Sequence, residues 1–158
     1  MQTENIENTG IKGQFRTIKL NAKGEVVYVT DWQKNLVVSS DGFGRNLIAR
    51  QLAGIVATPI AITKLTLSTN AVAPTVADTS LGGTQVDTDV QFITVGTGGQ
   101  ANVIDFSAFY TNADLPNGTY RKIGVKMGTI LLTSAMLVNL IVKDTGEQFR
   151  IDYKININ

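Results

Sequence analysis

An all-β, mainly antiparallel fold is what this sequence predicts, a β-sandwich with one amphipathic helix packed on it. Three observations carry that prediction. Short runs rich in Val, Ile, Thr, Phe and Tyr alternate with turn-forming Gly, Asn, Asp and Pro along most of the chain. A single segment repeats its apolar residues at helical spacing. The chain closes on Phe149, Ile151, Tyr153, Ile155 and Ile157, alternating with Arg150, Asp152, Lys154 and Asn156. Such a strand has one apolar and one polar face, and a slip of one residue would expose the whole apolar set. At 158 residues and 43 % apolar content, the chain is long enough for one domain with a real core.

Met1–Gly10 is polar and offers little to bury, which predicts a flexible arm ahead of a single domain over 11–158. Gln14 to Leu20 reads as a strand with Phe15, Ile18 and Leu20 as core candidates. Asn21-Ala22-Lys23-Gly24 turns it back, because Gly24 can take a positive φ without a Cβ clash. Glu25 to Thr30, with Val26, Val27 and Val29, is the return strand. Asn35 to Val38 is a short apolar strand. Ser40-Asp41-Gly42 then offers a helix start, since Ser or Asp accepts from the free N–H groups of a first turn. Phe43, Leu47, Ile48 and Leu52 follow at helical spacing and Gly54 is a stop, so a helix is predicted over Asp41–Ala53.

Ile62 to Ser68 alternates with period 2, the pattern of a strand with one buried face. From Asn70 to Thr88 the residues are mostly Ala, Pro, Thr, Asp, Ser and Gly, which predicts a long surface loop. Val90 to Val95 and Val103 to Phe109 are strands around a Gly96-Thr97-Gly98-Gly99 turn. After Pro116-Asn117-Gly118 come strands Tyr120 to Met127 and Ile130 to Leu137, joined near Gly128. Asp144-Thr145-Gly146 leads into the final strand, which belongs inside a sheet and not at its rim.

The composition limits the chemistry. There is no cysteine and no histidine, so this chain cannot build disulfides, thiolate metal sites or a Ser-His-Asp triad, and it lacks the commonest general base. A net charge of +1 gives no basic face for nucleic acid. The first residues lack the basic start and apolar stretch of a secretory signal, and no apolar run reaches the ~18 residues of a membrane span. Asp41-Gly42-Phe43-Gly44 precedes the helix but has neither a third glycine nor a Walker lysine, so it reads as a cap. Asp78, Asp87, Asp89, Asp105 and Asp114 lack the spacing of a calcium loop. Glu25 and Glu147 sit in or beside turns and do not suggest a glycosidase pair. No catalytic residue, metal or cofactor is expected.

The order of elements resembles a widespread family of small tailed-bacteriophage virion proteins of the tail-fibre, baseplate or minor structural type. The resemblance starts with Asn35-Leu36-Val37-Val38, Gly42 and the Leu47-Ile48-Ala49-Arg50 helix. It continues through Ile62 to Thr69, similar to an "ITxLxLxT" strand, and Ala73-Pro74-Thr75-Val76-Ala77-Asp78-Thr79-Ser80-Leu81-Gly82, similar to an "APxxxDTxLG" segment. Asn117 to Val125, Ile130 to Ala135 and the terminal alternating strand complete the series. Arg121-Lys122 replaces the family's usual acidic position before the Ile-Gly pair, and Tyr153 stands where tryptophan is common.

The resemblance implies a non-enzymatic virion subunit that works by multimeric assembly in a baseplate, collar or fibre base. A capsid decoration or head-fibre protein is the alternative, and a carbohydrate- or receptor-binding module a second one. The expected partners are other copies of the chain and other virion proteins, with a host-surface contact as a further role and neither nucleic acid nor membrane. The expected location is the virion, after manufacture in the host cytoplasm. Trp32, Pro74, Asp78, Leu81 and Asn117 are the candidate interface residues.

Overall fold

The computed structural model describes residues 10–55 and 60–157. The expected arm Met1–Gly10 lies outside them but for its last residue. Ten strands form: β1 (Ile11–Leu20), β2 (Val26–Val29), β3 (Gln33–Lys34), β4 (Leu36–Val37), β5 (Ile62–Ser68), β6 (Gln85–Val95), β7 (Val103–Tyr110), β8 (Gly118–Met127), β9 (Ile130–Lys143) and β10 (Gln148–Ile157). Among the described residues one α-helix, α1 (Gly44–Leu52), follows β4. The fold is all-β and antiparallel, as the alternating pattern predicts.

The two layers of the predicted sandwich are halves of one curled sheet, ordered β2-β1-β10-β7-β6-β5-β8-β9-β4. Strand β6 makes the corner. Its Gln85–Asp89 half pairs with β5, and its half from Val90 onward pairs with β7. Strands that change layers in this way need an irregularity, and β6 has one in the register break between Gln91 and Thr94.

The opposite side is closed by the segment 33–37. Strand β3 pairs with β1, and β4, a residue later, pairs with β9. Asn35 lies between them. Its N–H donates to the Gly13 carbonyl at 3.1 Å, and its side chain fills the space a Cβ on Gly13 would need. From there the Asn35 amide reaches the Tyr153 hydroxyl. That hydroxyl also shares a 2.8 Å hydrogen bond with Thr133 Oγ1. The Tyr153 ring is stacked with Phe15 on one strand (5.9 Å) and Phe106 on the other (5.1 Å). Leu65, Leu67, Ile123, Val125 and Ile151, all fully buried, fill the space between the halves. Each contributes about 1.5–3 kcal/mol by leaving water.

The final strand lies between β1 and β7, inside the sheet. Phe149, Ile151, Tyr153 and Ile155 are buried as predicted, while Ile157 is half exposed.

Three elements differ from expectation. The helix begins at Gly44, not Asp41. Its cap residue is Phe43, which offers no side-chain acceptor; Asp41 pairs with Arg50 instead. Gly44 sits at φ +50° with the Val38 carbonyl where a Cβ would stand, so a glycine is required there. Leu47 is buried, but Leu52 is 85 % exposed and covers nothing. The second difference is the loop, which ends at Thr84 because the alternation of Val86, Thr88 and Val90 already belongs to β6. It is tied down by a Ser39 N–H to Val76 carbonyl bond of 2.7 Å and by Asn70 Nδ2 to the Leu81 carbonyl at 2.7 Å. The third is β9, which runs on past Leu137 to Lys143.

Burial raises the ionisation of the Tyr110 and Tyr153 phenols above the ordinary value of 10. A raised phenol favours the folded state while neutral, so its contribution is whole below pH 10 and fades as pH climbs past it. Alkaline titration followed by circular dichroism is expected to show unfolding on that side. Replacing Tyr153 by Phe keeps the ring stack but takes away the Asn35 amide's partner and one of two partners of the Thr133 hydroxyl, which keeps the Val125 N–H. The expected loss is about 1–3 kcal/mol in urea denaturation.

Candidate functional site

Apolar side chains that the chain leaves uncovered gather in two main places, the foot of α1 and the edge strand β2 with its surroundings. At the foot of α1, the helix, β1, β5, β6 and β10 surround a groove of ≈ 540 Å³ in which every lining residue is apolar. Ile11 and Ile48 form part of its wall, while Leu52, Ile93, Val95 and Ile157 stand exposed at its rim. The helix carries Leu52 here because i, i+4 spacing puts it beside Ile48. Strand β6 brings Ile93 here through its register break. A second exposed feature is β2, whose four residues, Val-Val-Tyr-Val, form the edge of the sheet and bury neither face. Large apolar patches and bare strand edges on soluble domains mark contact surfaces.

A different kind of hollow, ≈ 330 Å³, lies over β10. Trp32 stands on one side, half exposed, with the Arg16 guanidinium 5.0 Å and the Lys154 ammonium 4.8 Å from its ring centre. The floor is Asp152, a nearly buried carboxylate that accepts from Arg16 Nε and Nη2 (3.0 Å each), Arg150 Nε (2.7 Å) and Ser107 Oγ (3.0 Å). Phe92 and Asp105 complete the walls. Trp32 thus faces a polar hollow, and its partners are cations, not core hydrocarbons.

Of the other candidate interface residues, Leu81 and Asp78 are taken into the chain's own packing. Leu81 is fully buried in a small second core with Val38 and Leu131. The sequence hid this, since one leucine in a run of small polar residues carries no periodicity. Asp78 faces inward and ion-pairs at 3.7 Å with Lys122, which is 2 % exposed, while also accepting from Thr75 Oγ1 at 3.0 Å. Lys122 is therefore neutralised from inside the loop. Asn117 is exposed, yet its side-chain oxygen accepts from the buried Lys143 ammonium at 3.1 Å and its amide donates to Thr145. Pro74 is partly buried on the same loop as Asp78.

The remaining acids are dispersed. Asp87 pairs with Lys126, Asp89 with Lys64, and Asp114 caps its own turn through Thr111. Among the described residues, no three His, Cys, Asp or Glu side chains group as metal ligands would, and no helix is long and apolar enough to cross a membrane. No family model, curated protein or solved structure matches this chain.

Removing one member of a buried ion pair leaves the other charged and unpaired. Asp78→Ala is therefore expected to cost about 3 kcal/mol. The double variant Asp78→Ala with Lys122→Met should recover most of that, measured by chemical denaturation of both proteins.

Proposed function

We propose that this chain is a non-enzymatic structural subunit of a tailed-phage particle, acting by multimeric assembly. The reading joins the ordered sequence resemblance to one structural observation: the all-apolar groove at the foot of α1, with Leu52 and Ile93 exposed at its rim. A particle subunit meets its neighbours permanently, so apolar surface left open by the single chain is covered on assembly. A location in the tail, as a baseplate, collar or fibre-base subunit, is preferred on the resemblance; decoration of the capsid is the alternative. The chain would be made in the host cytoplasm and reside in the virion.

The test is copy number in purified particles, by quantitative mass spectrometry against the major capsid protein. Tens of copies per particle are expected; hundreds would move the protein to the capsid surface, and absence from particles would sink the reading. Leu52→Glu and Ile93→Glu lie at exposed positions and should leave the isolated protein folded. Each is expected to reduce incorporation at least about tenfold, as burying an unpaired charge demands.

A further inference from the structure

We propose that the hollow over β10 is a saccharide-binding site in which Phe92 is the stacking platform and Asp105, Arg150 and Lys154 address the sugar hydroxyls. The site goes beyond the assembly reading and shares no residue with the groove.

The starting observation is Phe92. Its φ is +56°, the one positive value outside glycine among the described residues. Bulky side chains rarely occupy that region, because Cβ crowds the backbone. The conformation brings the ring no shelter, since Phe92 is 74 % exposed. A strained aromatic that gains nothing from its own core is a candidate for function. The strain sits in the register break of β6, the kind of irregularity that re-aims a side chain, and the ring lines the hollow.

The rest of the hollow has the chemistry to hold a sugar. The C–H face of a pyranose ring is weakly positive and rests on the electron-rich face of an aromatic ring. Its hydroxyls need donors and acceptors in alternation. Asp105 supplies an acceptor in the wall of the hollow. Arg150 gives its Nε to Asp152, and its Nη groups are the donors assigned to the ligand. Asp152 fixes both arginine heads without itself being available, because its oxygens are taken by Arg16, Arg150 and Ser107. Preorganised polar groups beside an exposed aromatic are the usual form of a small-ligand site, and ≈ 330 Å³ falls at the lower end of the ~300–1,000 Å³ range of such sites. The charges nearly balance, with Arg16, Arg150 and Lys154 against Asp105 and Asp152, which favours a neutral sugar over a strongly anionic one.

Trp32 is the chain's single tryptophan, so its fluorescence reports on this hollow alone. The full-length protein would be titrated with glucose, galactose, rhamnose, N-acetylglucosamine and, as the acidic arm, galacturonic acid. The expected result is a saturable change with at least one neutral sugar, weakened about tenfold or more by Phe92→Asn and by Asp105→Asn. Asparagine tolerates a positive φ, so the thermal midpoint of Phe92→Asn should equal or exceed that of the parent. No saturable response to any neutral sugar up to its solubility limit would overturn the proposal. So would binding that survives Phe92→Asn, or a response confined to galacturonic acid and abolished by salt, which would assign the hollow to charge alone.

Discussion

The Tyr153 side chain is the point on which the rest of the structure depends. Its hydroxyl joins Asn35 of the closing segment to Thr133 of β9, and its ring lies between Phe15 of β1 and Phe106 of β7. One residue therefore touches both halves of the curled sheet and the short segment that closes it. Burial keeps its phenol neutral, and hydrogen bonds satisfy it where water cannot reach. The bare side of Gly13 is part of the same arrangement, because any larger residue would occupy the space through which Asn35 reaches inward.

The architecture was largely legible in the sequence. Ile62 to Ser68 and the last strand alternate cleanly, and both form where the alternation places them. What was not legible has physical reasons. Helix α1 is shorter than its apolar spacing suggests because the Val38 carbonyl needs the space beside Gly44, a contact no local pattern reports. Asp78 looks like a surface loop residue until β8 brings Lys122 beneath it, and Leu81 until Val38 and Leu131 enclose it. Closure of the sheet through 33–37 could not be read, since strands of two residues carry no period. Of the candidate site residues, Trp32 alone was visible as an unusual aromatic. Phe92 was not, because its exposure arises from a register break that alternation conceals.

That register break gives β6 two outward-facing side chains in succession. Phe92 enters the hollow over β10 and Ile93 enters the groove at the foot of α1. In a regular strand adjacent residues also point to opposite faces, but here the corner strand has left its partner on one side, so neither face is covered. The irregularity that lets the sheet turn the corner thus sends two neighbouring exposed side chains into two different hollows.

The pairing of the first long strand with the last also shapes how the chain reaches this structure. Arg16 and Asp152, bonded across β1 and β10, are 136 residues apart in sequence. Closing so long a loop is slow, because its entropy must be lost before the contact stabilises anything. Strand β1 can pair early with β2 and β3, which follow it closely in the chain, but its longest ladder waits for β10. Removing β10 would take out a strand that is paired on both sides, not one at the margin of the sheet. A truncated product would present β1 and β7 as bare, apolar edges, the form most prone to aggregate.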